Sequence, residues 1–187
     1  TEGALVASVN RGCKAITESG GAAVMSVRAG ATRGPVFKVR NMKENTVLFD
    51  FLNTHKDDFD QIAKTTSTHI ALTNVETNSV GLYRFARFIF DTQDAMGLNM
   101  VTIATDKIVR FIEEKTHVRC TSVSGNYCVD KKPSWLNFTH SRGFEVWAEC
   151  ILSSATLKDT LHTSPQVLYE TWLSKCMIGS AMSGSMG

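Results

Sequence analysis

Asp130-Lys131-Lys132 is the densest concentration of chemistry in the chain, one carboxylate and two ammonium groups in a row between Ser124-Gly125-Asn126-Tyr127-Cys128-Val129 and Pro133. A lysine beside a carboxylate, or drawn into a cleft, can hold an anionic substrate or deliver a proton. The same run also reads as a charged turn facing water. A second candidate is Asp94-Ala95-Met96-Gly97-Leu98-Asn99-Met100, where a loop enters a helix. Backbone N–H groups at such a junction suit an anion, and Gly97 permits close approach. Its plain reading is an Asp N-cap followed by a Met-rich core stripe. Asn10-Arg11-Gly12 and Thr32-Arg33-Gly34 each set an arginine beside a glycine, a phosphate or carboxylate contact or simply a surface arginine. Glu2 precedes Gly3 and a helix, where a carboxylate often only complements the helix dipole.

Other chemistries find no support. The five histidines (55, 69, 117, 140 and 162) lack metal-ligand spacing, and no metal site is expected. There is no GxGxxG, P-loop or GxSxG string. The five cysteines (13, 120, 128, 150 and 176) form no CxxC pair and suit a reducing compartment, with Cys128 read as packing. With 20 Lys plus Arg against 18 Asp plus Glu, the net charge of +2 gives no field that would favour nucleic acid or an acidic membrane. No apolar run reaches the ~18 residues of a membrane span. The 187 residues, 43% of them hydrophobic, suit one domain or one and a half. The ends, Thr1-Glu2-Gly3 and Ser183-Gly184-Ser185-Met186-Gly187, read as those of a segment cut from something longer.

These groups need elements to place them. Residues 4–16 carry Leu5, Val6, Val9, Cys13 and Ile16 on one helical face, and 24–32 read as a short strand closed by Arg33-Gly34-Pro35. Strand character follows at 36–40, a helix at 46–63, strands at 69–75 and 82–90, a helix at 96–114 and a strand at 118–123. That β-α-β-β-α-β order predicts a ferredoxin-like domain with an antiparallel sheet and helices on one face. Beyond it come a polar loop at 124–137, a strand at 144–152, a short helix at 155–161, and a helix opened by Ser164-Pro165. The fold class is therefore α+β, with a small domain at 36–123 inserted between two pieces, 1–35 and 124–187, of a larger one.

Taken together, TEGALVASVNRGC, ATRGP, DAMGLNM, SVSGNYCVDKKPSWLN and GSAMSGSMG, in this order, resemble the catalytic domain of 3-hydroxy-3-methylglutaryl-coenzyme A (HMG-CoA) reductase, in particular its class I form. The resemblance covers essentially the whole chain. It implies a four-electron reduction of HMG-CoA to mevalonate and free CoA with two NADPH, by a homodimer or homotetramer whose active sites lie between subunits. The domain at 36–123 would bind the cofactor, and the larger one the substrate. Rival readings are a class II, often NADH-using, reductase, against which the intact SGNYCVDKKP string weighs, and a non-catalytic CoA- or nucleotide-binding relic, against which Glu2 and the intact Asp130-Lys131-Lys132 weigh.

By motif, the resemblance makes Glu2 a proton-transfer group and Lys131 the stabiliser of the oxyanion. Arg33, Ser124, Asp130, Lys132 and Lys175 would hold the hydroxymethylglutaryl group. Ser8, Asn10, Arg11 and Lys14 would contact CoA, where His162 also replaces a lysine of relatives. Ser67, Thr68, His69, Asp94, Ala95, Met96, Gly97, Leu98 and Asn99 would bind the dinucleotide. Thr68 stands where animal members carry an arginine suited to a 2′-phosphate, with His69 or Arg87 as candidate compensators. A further catalytic Asp and His would follow the closing GSAMSGSMG, so the isolated segment is expected to lack turnover. The resemblance also implies a catalytic part facing the cytosol, tethered to the endoplasmic reticulum in animal and plant relatives and soluble in archaeal ones, with no membrane contact by this segment.

Overall fold

The computed structural model describes residues 2–185. Two compact units divide them: Val27–Glu145, and a second built from the residues up to Ser26 and those from Val146 onward.

The first unit is organised by an antiparallel sheet. Strands β1 (Ala23–Arg33) and β2 (Val36–Lys38) lie end to end along one side of β4 (Tyr83–Asp91), and β3 (Ala71–Val80) pairs along the other. Arg33 faces Phe88 and Val36 faces Phe85, so Gly34-Pro35 is a break in one ladder, as the missing proline N–H requires. β5 (Arg119–Ser122) pairs with β2, and β6 (Gly143–Glu149) joins the sheet beside β1. From β2 to β5 the strand order across the sheet is β5-β2-β4-β3.

Side-chain alternation assigns the faces of β4. Ala86, Phe88 and Phe90 join Phe37, Val39 and Val75 in a core completed by helices, while Phe85, Arg87 and Ile89 take the opposite face. The helices contribute Leu48 and Leu52 from α2 (Met42–Thr54), Phe59 and Ala63 from α3 (Lys56–Lys64), and Val101, Ala104, Ile108 and Ile112 from α4 (Leu98–Thr116). Full burial of Phe37, Phe59, Phe88 and Phe90 stabilises the unit by roughly 1.5–3 kcal/mol each. Phe59 meets Phe88 edge-on at 5.7 Å, locking α3 to the sheet.

The single helix expected at 46–63 is two helices. The first begins earlier because Asn41 caps it, accepting from the Glu44 backbone N–H at 2.9 Å, while Glu44 reaches back to the Arg40 N–H at 2.6 Å. It stops at His55, whose ring stacks on Phe51 at 3.9 Å. Asp57 and Asp58 then favour a fresh N-terminus. The expected loop at 124–137 likewise gives way to α5 (Trp135–His140), capped by Ser134.

In the second unit, α1 (Gly3–Glu18) packs near α6 (Ser154–Asp159). Ser19 Oγ donates to Thr156 Oγ1, and Thr160 donates to Glu18. The helix expected from Ser164-Pro165 starts there as α7 (Pro165–Thr171), becomes π-helical over Trp172–Ile178, and closes as α8 (Gly179–Ser183). The apolar face of α1 read from the sequence lies open, Leu5 being 56% and Val9 60% exposed. No helix among the described residues is long and apolar enough to cross a membrane.

Candidate active site

Two loops meet at Gly34. The Gly125 N–H donates to the Gly34 carbonyl at 2.7 Å. A Cβ on Gly34 would lie 2.9 Å from Tyr127 and Cys128 backbone atoms, and one on Gly125 2.8 Å from Val36. The glycines of ATRGP and SGNYC are thus there for backbone approach, and they set the polar loop directly against the β1–β2 break.

That contact assembles four of the residues expected to hold the hydroxymethylglutaryl group, Arg33, Ser124, Asp130 and Lys132, together with Lys131. A cavity is lined by Arg33, Leu98, Ser124, Cys128, Asp130, Lys131 and Lys132. Arg33 Nη2 donates to the Leu98 carbonyl at 3.1 Å, and Nη1 lies 3.8 Å from Cys128 Sγ. Its Nε is buried without a partner. Lys132 Nζ donates to Asn126 Oδ1 at 2.9 Å. Asn137 clasps the turn from below, Nδ2 donating to the Val129 and Lys132 carbonyls at 2.7 Å each. Lys131 has no hydrogen-bond or ion-pair partner among the described residues, and its ammonium is exposed. An unengaged ammonium held by an ordered turn is the group that can meet a developing oxyanion.

Thr32, Cys128 and Asn137 were not singled out for this site in the sequence. Thr32, 1% exposed, grips Asp130: its backbone N–H donates to Oδ2 at 2.7 Å and its hydroxyl to Oδ1. Its place just before Arg33 in ATRGP was the one available signal. Cys128 does more than pack. It is buried, and its sulfur sits 2.8 Å from Ser124 Oγ. Burial pushes the thiol pKa up, but hydrogen bonding with Ser124 and at the Gly34 backbone, together with the Arg33 guanidinium, outweighs it and leaves the thiol below its ordinary value.

A neighbouring cavity of about 270 Å³ collects the second candidate segment: Asp94, Ala95, Met96 and Leu98 line it with Arg28, Arg142, Phe144, Asp130 and Lys131. Asp94 is not the cap of α4. Gly97 is, in the left-handed region at φ 68°, and no side chain caps the helix start. A Cβ there would fall 2.6 Å from Thr92 Cγ2, so this glycine is required by conformation and by space alike. Leu98, Asp130 and Lys131 line both cavities.

Ser67, Thr68 and His69 do not line that cavity. The His69 N–H donates to Ser67 Oγ at 3.1 Å, and Nδ1 lies 2.9 Å from Gln93 Oε1, the link from this segment to the 92–96 loop. Arg87, a candidate compensator for Thr68, is 1% exposed and paired with Glu76 at 2.9 Å, so it cannot reach a ligand. Its position opposite Glu76 on β3 explains the burial. Glu2, Ser8, Asn10, Arg11, Lys14 and Lys175 belong to the second unit. All six are exposed: Glu2 at the N-cap of α1, the next four along that helix, with Lys14 3.6 Å from Glu18, and Lys175 in the π-helical turn.

The family model described as hydroxymethylglutaryl-coenzyme A reductase matches residues 1–187. The chain belongs to that family. It is 41% identical over its whole length to 3-hydroxy-3-methylglutaryl-coenzyme A reductase of Halobacterium salinarum, of which it covers 46%. It is 42% identical, again over its whole length, to that of Methanocaldococcus jannaschii, covering 48%. The chain thus spans about half the length of the curated relatives it matches. Among solved structures, the class II reductase of Streptococcus pneumoniae bound to NADPH aligns with a TM-score of 0.63 at 18% identity, over 83% of this chain and 41% of that one. At that identity the likeness concerns the fold: a mixed α/β architecture with an antiparallel sheet, shared with reductases of this family.

Proposed function

We propose that this chain is the part of a class I HMG-CoA reductase that holds the cofactor domain and much of the substrate site, and that the complete enzyme reduces HMG-CoA to mevalonate and CoA with two NADPH. The observation that carries this is the shared wall of Leu98, Asp130 and Lys131 between the two cavities. Hydride transfer needs donor and acceptor carbons in direct contact, which adjoining cavities with shared lining residues allow, with one cation serving the oxygen that becomes negative. The functional division is a cofactor domain at 36–123 and substrate-binding parts at 1–35 and 124–187.

The roles are those the family resemblance implies, and the chemistry of the side chains suits them. Arg33 and Lys132 suit the substrate's free carboxylate, and Ser124 its hydroxyl and carboxylate oxygens. Asp130, its carboxylate fixed by Thr32, orients the hydroxymethylglutaryl group. The ammonium of Lys131 stabilises the oxyanion formed from the thioester oxygen, and again at the aldehyde stage. Glu2 supplies a proton, Lys175 completes the carboxylate contacts, and Ser8, Asn10, Arg11 and Lys14 meet CoA. NADPH, when bound, supplies the hydride. The residues of the second cavity fit its phosphate-bearing part: Arg142 is unpaired and the start of α4 has no side-chain cap. Exposed apolar positions such as Leu5 and Val9 suit the assembly of subunits into a dimer or tetramer. A catalytic part facing the cytosol is compatible with five cysteines, all free.

The test is coupled consumption. The full-length protein is expected to oxidise two NADPH per mevalonate formed, only when HMG-CoA is present. NADPH oxidation independent of the thioester, or mevalonate formed preferentially with NADH, would overturn the class I reading.

A further inference from the structure

We infer that Arg142 is a phosphate ligand for the dinucleotide, presented to the second cavity by a strained turn. The inference rests on the reductase reading, and deepens it by naming a cofactor-binding residue that no motif marks.

Five charged side chains line that cavity; Arg28 and Asp130 are committed, whereas Asp94, Lys131 and Arg142 have no partner among the described residues. Arg28 is neutralised: Nη1 donates to Asp91 Oδ1 and to the Gln93 carbonyl at 2.6 Å each, and its guanidinium lies over the Phe144 ring at 4.7 Å. Asp130 is taken by Thr32. Lys131 stands on the wall shared with the substrate cavity. Arg142 lines the cavity, is exposed, and has no hydrogen-bond or ion-pair partner among the described residues. A planar guanidinium in this state offers parallel N–H donors, the geometry that phosphate oxygens accept.

Its placement has a structural cost. Ser141 sits at φ 57°, ψ 179° and Gly143 at φ 58°, so Arg142 is flanked on both sides by left-handed φ. Serine rarely takes that conformation, which persists only where the surroundings hold it. Two contacts do. Arg87 Nη2 donates to the Ser141 carbonyl at 3.4 Å, and Ser141 Oγ donates to Glu145 Oε2 at 2.6 Å. Arg87 is itself fixed, fully buried and paired with Glu76 at 2.9 Å. The pair Arg87–Glu76 therefore forms a rigid floor that holds the turn after α5 in one shape and sets Arg142 at the cavity wall. Arg87 serves the cofactor through Ser141 without reaching it.

The experiment uses the full-length protein with Arg142→Gln and Arg142→Lys, scored by KM for NADPH, NADH and HMG-CoA and by cofactor titration through dinucleotide fluorescence. Losing a charge-assisted phosphate contact is expected to raise KM for NADPH about tenfold or more with kcat little changed. Lysine is expected to restore part of that loss, and the ionic-strength dependence of NADPH binding to flatten in the glutamine variant. An equal loss for NADH assigns the contact to the bridging pyrophosphate, and a loss confined to NADPH assigns it to the ribose phosphate. Unchanged binding of both dinucleotides, or a rise in KM for HMG-CoA alone, overturns the inference while wild-type turnover keeps the reductase reading. Absence of thioester-dependent turnover in the wild type sinks that reading, and the fluorescence titration still reads Arg142 on its own.

Discussion

Thr32 holds both oxygens of the Asp130 carboxylate, one through its backbone N–H at 2.7 Å and the other through its hydroxyl. The pair joins β1 to the turn that carries Asp130 and Lys131, across 98 positions of sequence. Thr32→Val keeps shape and the backbone donor but removes the hydroxyl, which is expected to cost about 1–3 kcal/mol. In the full-length enzyme KM for HMG-CoA should rise more than KM for NADPH, and Thr32→Ser should recover most of the loss. A valine variant with unaltered HMG-CoA kinetics would remove Thr32 from the site.

Lys131 is exposed and unpaired, so its removal should leave folding intact. Lys131→Met is expected to lower kcat by roughly 10²–10³, the usual effect of deleting an oxyanion donor, with the thermal midpoint unmoved. Steady-state rates alongside a melting curve check both halves.

Gly97→Ala puts a methyl 2.6 Å from Thr92 Cγ2 and asks alanine to hold φ 68°. The strain is on the order of 1–3 kcal/mol before the clash is counted. A lowered thermal midpoint and weakened cofactor binding should appear together, because the same residue opens α4 and shapes the 92–98 loop. Combining it with Thr92→Ser relieves the methyl contact alone, and should recover only part of the loss.

The Glu76–Arg87 pair lies on the face of the sheet away from the helices, with Arg87 1% exposed. Glu76→Ala strands a buried guanidinium. The expected cost is about 2–3 kcal/mol, below the full figure for a buried pair because the Glu76 side chain is 25% exposed. Replacing both residues by apolar ones of similar size should be milder than the single change, and urea denaturation of all three variants decides it.

The Cys128 thiol is depressed in the folded state, so the fold favours its thiolate. The sign follows from linkage. Its contribution to stability is present above the ordinary thiol value of about 8.5, and fades as pH falls through the lower folded value. Wild type should therefore gain stability over Cys128→Ala as pH rises through that window, and a constant difference between the two would contradict it.

What the sequence made legible was what local pattern encodes. The β2–β5 run was visible because Ala86, Phe88 and Phe90 alternate and because α4 repeats Ala104, Ile108 and Ile112 at helical spacing. The split at His55 was hidden because its causes, an Asn41–Glu44 cap upstream and a ring stacked on Phe51, interrupt no apolar periodicity. The string SGNYCVDKKP marks the cavity between the two loops, whereas Thr32 and Arg142 stand out in no motif. Thr32 acts on a distant turn and is signalled only by its place before Arg33, while Arg142 acts through backbone dihedrals that residue spacing does not encode.

Arg33 donates to the carbonyl of Leu98, the first residue of α4. A group expected to grip one ligand is thereby tied to the helix start that frames the other. Where Arg33 turns from that carbonyl toward a carboxylate, the entrance to α4 changes its energy, and the two binding equilibria become one linked system. Reciprocity then fixes a number: whatever factor HMG-CoA applies to the dissociation constant of NADPH, NADPH applies to that of HMG-CoA.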